Sequence, residues 1–166
     1  MPIGASSWSF TEEDFSALTQ VLQRFLFESN ARCALLVDRS GQLVTFAGDR
    51  PTFDVTAFAT LTAADFSAND QLARLIGESD FNTLFHQGEK ESMLLADVVR
   101  RVILVALFDN RTTLGLVRLK MRAIVDDLGR LIERSLQRSL ERSHPSNPQR
   151  QPLLGDVDDE IDRLFQ

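Results

Sequence analysis

The stretch "RVILVALFD", Arg101–Asp109, sets the centre of the fold. Every residue between its two ends is apolar, and a uniformly apolar run of this length is typical of a central strand that is covered on both faces. The stretch before it, "ESMLLADVV" (Glu91–Val99), predicts a second strand, and the two strands are joined at Arg100 and Arg101. The sequence therefore predicts the middle of a sheet that is covered on both sides.

Three further runs predict the remaining strands. Cys33–Val37 and Gln42–Ala47 flank the turn sequence "DRSG", which predicts a β-hairpin that ends at the break Gly48–Pro51. The stretch "DFNTLFHQG", Asp80–Gly88, predicts a short strand that is followed by a turn at Gly88. Two strands are therefore expected early in the chain and two or three later.

The start of the first helix is predicted from capping residues. Thr11 followed by Asp14 resembles a capping box, and Phe10 and Phe15 on either side of the cap fit a hydrophobic staple. Apolar residues then recur at helical spacing, which predicts an amphipathic helix that packs against the sheet. These residues are Phe15, Leu18, Leu22, Phe25 and Leu26.

A middle helix is expected between the cap Asp54 and the stop Gly77. Four large apolar residues can form one buried stripe: Phe58, Leu61, Leu72 and Leu75. The other face carries small or modest side chains: Thr60, Ala64, Ser67, Ala68 and Gln71. Small residues let another backbone approach closely, although the same composition also describes a helix of good propensity with a polar face.

A long helix is expected to follow the last strand, with Thr112 or Thr113 as its cap. Its apolar stripe contains Val117, Met121, Ile124, Leu128 and Leu131. After Ile132 the apolar residues become sparse, so this extension is expected to fray or to lie on a surface. The order of elements predicts an α+β fold with an antiparallel sheet and one helix between the hairpin and the later strands.

Charge and composition exclude several classes of protein. The 166 residues are 43% hydrophobic and 25% charged, with a net charge of −6, which is typical of one globular domain. An acidic chain lacks the basic surface that nucleic acids and anionic membranes attract. No signal peptide or membrane span is expected, and the lone Cys33 favours a reducing cytoplasm and a buried, inert thiol.

The sequence contains no catalytic motif. "HQGEKES" places Glu89 where a phosphate-binding loop needs its lysine, and the two histidines, His86 and His144, do not cluster with Cys33 as a zinc site requires. His86 is expected to have a structural role, such as a hydrogen bond. We therefore expect no enzymatic activity, no cofactor and no metal.

The C-terminal segment has a pattern of its own. Residues 1–141 are expected to form the domain with its extended last helix, residues 142–152 a flexible linker, and residues 153–166 an amphipathic segment. Written as a helix, the segment has one apolar face: Leu154 (or Leu153), Val157, Ile161, Leu164 and Phe165. Burying three of these residues contributes ~1.5–3 kcal/mol each, whereas ordering about ten residues costs ~1–2 kcal/mol each.

The segment is therefore expected to order only against another surface. A linker of about ten residues reaches ~18 Å and raises the effective concentration towards the millimolar range. The segment is predicted to form a second binding contact with a partner that is already bound to the domain. The alternative is a strap that packs on its own domain or on a neighbouring protomer.

Four ordered blocks, together with the acidic tail, resemble a known family. The blocks are "ALLVDRSGQLV" (Ala34–Val44), "LARLIGESDF" (Leu72–Phe81), "FHQGEKES" (Phe85–Ser92) and "LVALFDNRTTLGLVRL" (Leu104–Leu119). They resemble the Roadblock/dynein-light-chain-seven family and, within it, the bacterial MglB-type polarity proteins. The resemblance implies a five-stranded antiparallel sheet between the middle helix on one side and the two terminal helices on the other. It also implies an edge strand near Phe81–His86 and a homodimer in which edge strands pair into one continuous sheet.

The same resemblance implies a function and a site. Proteins of this type bind a small Ras-like GTPase of the MglA type in cell polarity and gliding motility. They stimulate GTP hydrolysis without supplying catalytic residues, and nucleotide exchange has also been ascribed to them. A cytoplasmic protein, located at a cell pole, is implied. The candidate partner-binding residues are Thr60, Ala64, Ser67, Ala68 and Gln71 on the middle helix and Leu154, Val157, Ile161, Leu164 and Phe165 in the tail.

The middle helix departs from its relatives at four positions, where they tend to have smaller or neutral residues: Asp65, Phe66, Asn69 and Asp70. These residues bear on how closely two such helices can pack. Two other functions stay open at this point. One is a dimeric scaffold of the same fold that leaves nucleotide turnover unchanged, and the other is a small-molecule sensor.

Overall fold

The computed structural model describes residues 9–143. Eight elements follow one another in the order that the sequence predicts: α1 (Glu12–Ser29), β1 (Cys33–Asp38), β2 (Leu43–Gly48), α2 (Val55–Leu75), β3 (Thr83–Gln87), β4 (Ser92–Val98), β5 (Val102–Phe108) and α3 (Leu114–Ser143). The fold is α+β, as expected, with one five-stranded antiparallel sheet and three helices.

The apolar run between Arg101 and Asp109 forms the central strand, β5. The strand order is β2-β1-β5-β4-β3, so β5 has two neighbours on each side. Leu104 of β5 lies opposite Leu36 of β1 and Ala96 of β4. Because both sheet faces are covered, almost every residue of β5 is buried. The prediction of a central strand covered on both faces is confirmed, and so is the position of β3 at an edge.

The sheet separates two apolar layers. The layer under α1 and α3 contains alternate strand residues such as Leu36, Leu94 and Leu104. The layer under α2 contains the intervening residues, such as Leu35, Leu95 and Val105. This alternation follows from the two-residue repeat of a strand, which sends successive side chains to opposite faces.

The N-terminus of α1 has the capping interactions that the sequence predicts. The Asp14 backbone N–H donates to Thr11 Oγ1 at 3.2 Å, and the Thr11 backbone N–H donates to Asp14 Oδ2 at 2.8 Å. The Phe10 and Phe15 rings lie 5.5 Å apart between centroids. The capping box and the hydrophobic staple are both confirmed, and they fix the direction in which the chain enters α1.

The structure shows which of the two candidate residues caps α3. Thr113 is the cap, because its Oγ1 accepts a hydrogen bond from the Leu116 backbone N–H at 3.2 Å. Thr112 has another role: its Oγ1 donates to the Ser29 carbonyl oxygen at 2.6 Å. The loop before α3 is thus fastened to the end of α1.

The extension of α3 lies on a surface, namely the N-terminus of α1. Ser135 is buried and its Oγ donates to Asp14 Oδ2 at 3.2 Å, and Arg138 forms an ion pair with the same carboxylate. Burial would raise the pKa of Asp14, but the hydrogen bonds from Thr11 and Arg138 outweigh it and lower that pKa. The helix runs to Ser143, and the remainder of the predicted linker and tail lies outside the described residues.

The predicted buried stripe of α2 is wrong. Phe58 is partly buried, but Leu61, Leu72 and Leu75 are exposed. The helix instead buries a different face, made of Ala59, Thr62, Ala63, Phe66, Asn69 and Ala73. Small side chains on this face let the helix backbone lie close to the sheet, while the single Phe66 fills the remaining space. The predicted ends of α2 are confirmed, with Asp54 as the N-cap and Gly77 at a φ of 86° after the last turn.

The tight turn between β4 and β5 packs on α3. Val99 and Arg100 have φ values of 48° and 58°, which is an unfavourable region for a β-branched residue such as valine. A Cβ atom on Gly129 of α3 would lie 2.9 Å from Val99 Cγ1. The absence of a side chain at Gly129 therefore lets the turn approach the helix.

Candidate functional site

The outer face of α2 carries a continuous apolar surface. Leu61, Leu72 and Leu75 are 68%, 57% and 82% exposed. Ala64 and Ala68 are exposed between them, and the five residues lie at helical spacing along one side of the helix. We refer to these five residues as the α2 ridge. Leucines that are mostly exposed in a row are unusual on a domain surface and mark an interaction face.

The structure places the five candidate residues of the middle helix on the same outer side of α2. They are Thr60, Ala64, Ser67, Ala68 and Gln71, and all are exposed. Thr60 Oγ1 donates to the Thr56 carbonyl oxygen at 3.1 Å, so its hydroxyl is occupied within the helix. Sequence reasoning missed the leucines of the ridge, because it assigned them to the core. The sequence did contain a sign that the leucines could be exposed: a second set of apolar residues on α2 can form the buried face instead, namely Ala59, Ala63, Phe66 and Ala73.

Four other α2 residues that the sequence analysis singled out, Asp65, Phe66, Asn69 and Asp70, all engage their own domain. Phe66 is fully buried, and Asn69 Nδ2 donates to the Phe81 carbonyl oxygen at 3.4 Å. Asp65 Oδ2 lies 2.6 Å from His86 Nε2 of β3, which gives His86 the structural role expected of it. Asp70 pairs with Arg39. None of these side chains belongs to the α2 ridge, and Asp65 borders it one helical turn from Leu61.

Arg39 fastens α2 to the strand ends. Its Nη1 lies 2.8 Å from Asp70 Oδ2 of α2, its Nη2 pairs with Asp97 of β4, and its guanidinium lies 4.8 Å from the Phe66 ring centroid. Burial would lower the pKa of Arg39, but the two carboxylates outweigh it and raise that pKa. Arg39 is therefore a permanent cation that holds helix and sheet together.

A polar cavity of about 270 Å³ lies beside Arg39. Its carboxylates are already paired with its own arginines: Asp70 and Asp97 with Arg39, and Asp80 with Arg100 at 2.7 Å. Arg74 also lines the cavity, so three arginines balance the three carboxylates. The cavity therefore offers no net field that would select a charged ligand.

The edge strand β3 lies next to α2. It pairs with β4 on one side, from Thr83 opposite Ala96 to Gln87 opposite Ser92. No other described strand pairs with its outer edge. An unpaired edge presents backbone N–H and C=O groups that can pair with another strand. The edge and the α2 ridge are two candidate interaction surfaces, and the His86–Asp65 contact joins their elements.

The described residues show no catalytic arrangement. Within residues 9–143, no group of three or more metal-ligating side chains could hold an ion. Burial raises the pKa of the Cys33 thiol to about 11, so the thiol is protonated at neutral pH and unreactive. No helix in this part of the chain is long and apolar enough to cross a membrane. The tail candidates lie outside the described residues: Leu154, Val157, Ile161, Leu164 and Phe165.

The fold and the match to a protein-family model identify the same family of domains. Residues 18–108 match the model of the Roadblock/LC7 domain, which covers more than half of the chain, including the whole sheet and α2. The chain belongs to the Roadblock/LC7 domain family.

Within this family the chain is similar to MglB. It is 42% identical to Myxococcus xanthus MglB, with a TM-score of 0.69 over 72% of this chain and 98% of that one. It is 30% identical to the gliding protein MglB of Thermus thermophilus, with a TM-score of 0.71 over 77% and 97% of the two chains. An MglB with a tetrameric arrangement is also 30% identical, with a TM-score of 0.73 over 78% and 97%. Among curated protein sequences no significant match was found.

Proposed function

We propose that this protein is a homodimeric regulator of a small Ras-like GTPase of the MglA type. It stimulates GTP hydrolysis without supplying catalytic residues, and it acts in the cytoplasm in the control of cell polarity and gliding motility. The exposed α2 ridge carries the proposal, because it is an apolar face that the domain does not use for itself. The similarity to two MglB proteins supports the choice of partner.

In the proposed dimer, the position of the α2 ridge follows from the pairing of the edge strands. Two copies of β3 can pair through their open edges and extend the sheet from one protomer into the next. This pairing brings two α2 helices side by side. The small-residue side of both helices, with Thr60, Ser67 and Gln71, then forms a docking surface that spans the two protomers.

The composition of this surface fits a regulator that acts through binding alone. The α2 ridge contains only leucine and alanine, so the ridge itself offers only apolar contact to a partner. A surface that binds one switch state of the GTPase better than the other shifts the population towards that state. That shift changes hydrolysis or exchange while the GTPase provides its own catalytic groups.

The tail supplies a second contact in this proposal. The apolar residues Val157, Ile161, Leu164 and Phe165 grip the GTPase after the domain has docked, because the tether raises their effective concentration. Removal of residues 153–166 is expected to leave the domain folded and to weaken GTPase binding or nucleotide exchange. An unchanged affinity of the truncated protein would refute this part of the proposal.

The substitution Ala64→Arg tests the docking surface. It places a long cation in the middle of the α2 ridge, where desolvating the charge opposes any close contact. We expect native circular dichroism and a loss of at least about tenfold in the stimulation of GTP hydrolysis, which corresponds to ~1.4 kcal/mol.

Ala123→Arg is the matched control, because Ala123 is also an exposed alanine on a helix but lies on α3. It should stimulate the GTPase as the unmodified protein does. If Ala64→Arg retains full stimulation, α2 is the wrong surface. If both variants bind the GTPase normally but neither they nor the unmodified protein change its turnover, the protein is a dimeric scaffold.

A further inference from the structure

The α1/α3 side of the sheet contains an open groove that the proposed function does not use. Helix α3 contacts α1 through Lys120 and Asp127, and its opposite flank faces β4 across a cavity of about 550 Å³. One side of the lining combines a floor of mostly buried apolar residues with a basic rim along α3, and we call it the α3 groove: Leu94, Ala96, Met121 and Val125 with Arg118 and Arg122. The opposite rim is polar and acidic, with Asp80, Asn82, Thr83 and Asp97. A second depression of about 450 Å³ continues it along Val125 and Gly129.

The charges on the two rims of the α3 groove are unbalanced. Neither Arg118 nor Arg122 forms an ion pair with a carboxylate of residues 9–143. The acidic residues on the other rim, Asp80 and Asp97, are neutralised by Arg100 and Arg39. Arg118 and Arg122 are therefore two available cations beside β4, whereas the continuing depression carries Asp126, Arg130 and Glu133. An acidic amphipathic segment would match the part of the groove between α3 and β4.

Residues 153–166 of the same chain have this character. They contain five acidic residues and one arginine, a net charge of 1 − 5 = −4. Written as a helix, they place Val157, Ile161, Leu164 and Phe165 on one face and Asp158, Asp159 and Asp162 on another. An apolar face for the floor and a row of carboxylates for the arginines occur together in this one segment.

The length of the chain beyond α3 also fits. Ser143 lies 14 residues after Gly129, which is ~21 Å along a helix. Residues 144–152 have an r.m.s. reach of ~17 Å and a maximum of ~30 Å, so they can turn back to the level of Gly129. A helical segment of 14 residues then covers a further ~21 Å. That distance takes it past Arg122 and Arg118, antiparallel to α3.

We propose that, in the free protein, residues 153–166 lie in the α3 groove of their own chain, with the apolar face on the floor and the carboxylates against Arg118 and Arg122. This contact occupies the residues that would grip a partner, so it keeps the tail unavailable until a partner competes for it. The groove lies on the opposite side of the sheet from the α2 ridge, so the docked tail leaves the ridge open. The contact does not depend on the identity of the partner.

The methionine methyl groups provide the test, in the full-length protein and without any partner. The chain has three methionines: Met121 lines the α3 groove, whereas Met93 packs in the layer under α2. In a sample with ¹³C-labelled methionine methyls, Phe165→Ala and deletion of residues 153–166 should each shift the Met121 signal and leave the Met93 signal in place. A Met121 signal that is identical in all three proteins overturns the proposal.

Charge reversal on the rim separates the groove from other surfaces. Arg122→Glu in the full-length protein should move the Met121 signal to the position seen after tail deletion, and so should high salt, because the attraction is screened. Arg50→Glu is the control, since Arg50 is exposed in the loop before α2. A Met121 signal that responds equally to both reversals contradicts a specific role for the rim.

A mixed sample distinguishes this chain from a second copy. Labelled protein that lacks residues 153–166 is combined with unlabelled full-length protein. An unshifted Met121 signal supports a tail that is held by its own chain. A signal that moves to the full-length position would overturn the intramolecular contact and assign the groove to the tail of another protomer.

Discussion

The two helical layers cover the same sheet in different ways. Helix α3 buries large side chains against it, such as Met121, Ile124 and Leu128. Helix α2 buries one large side chain, Phe66, and otherwise mainly alanines, while its leucines face outward. A helix that rests on its own sheet through alanines contributes less apolar burial to the domain. The difference indicates that α3 contributes more apolar burial to the domain, whereas α2 leaves three large leucines exposed.

Leucine truncation should give the largest contrast between the two layers. Leu128→Ala removes a fully buried side chain and should lower the free energy of unfolding by ~2–5 kcal/mol. Leu72→Ala removes a mostly exposed one and should change it by less than ~0.5 kcal/mol in the monomer. Urea denaturation at protein concentrations low enough to prevent association measures both. Equal losses would show that α2 packs on its own domain as α3 does.

The polar attachment of α2 should give the next largest effect. Arg39→Met leaves Asp70 and Asp97 without their partner in a partly buried site, and we expect a loss of ~1.5–3 kcal/mol. Hydrogen exchange should rise in α2 more than in α3. Faster exchange in α3 instead would mean that Arg39 does not selectively hold the α2 layer.

The contact between α1 and the α3 extension should have a smaller effect that depends on pH. Asp14→Ala removes the side chain that accepts from the Thr11 backbone N–H in the capping box, and it removes the partner of Arg138. We expect a cost of ~1–2 kcal/mol at neutral pH. Because folding lowers the pKa of Asp14, its stabilisation is complete well above the unfolded pKa of ~3.9 and is lost as the pH falls through the folded pKa. The difference in unfolding free energy between the two proteins should therefore shrink at acid pH. A difference that is constant down to the acid transition would contradict the assignment.

The approach of the β4–β5 turn to α3 should give the smallest effect. Gly129→Ala gains up to ~1 kcal/mol of helix propensity but places its Cβ atom against Val99 Cγ1. We expect the full gain only in the Val99→Ala background, where the contact is relieved. A double-mutant cycle in urea measures the coupling, and equal gains in both backgrounds would show that the turn does not press on the helix.

The strands, the helix caps and the layered architecture could be predicted from the sequence because each depends on local pattern. The run Arg101–Asp109 carries the central strand in its own composition, and Thr11 and Asp14 specify a cap over three residues. The buried face of α2 could not be chosen in this way. Helical periodicity finds two apolar faces on α2, and it does not tell which one meets the sheet. The exposed leucines that resulted are the main feature of the candidate site.

The ion pairs of Arg39 with Asp70 and Asp97 could not be predicted from the sequence for a related reason. Its ion pairs join residues 31 and 58 positions apart, and such pairs form only when the strand ends and α2 have been brought together. The small residues of the candidate site were identified as a face of α2, but only the structure shows which residues Asp65, Asn69 and Asp70 contact and that Phe66 is buried.

Hydrogen–deuterium exchange of the full-length protein, with and without a GTP-bound GTPase of the MglA type, gives the sharpest comparison of the two layers. If α2 is the docking surface, peptides from Val55–Leu75 gain protection beyond that in the free protein, and the outer surface of Leu114–Ser143 gains no comparable protection. Protection confined to α3, with α2 unchanged, would contradict the assignment of α2 as the docking surface.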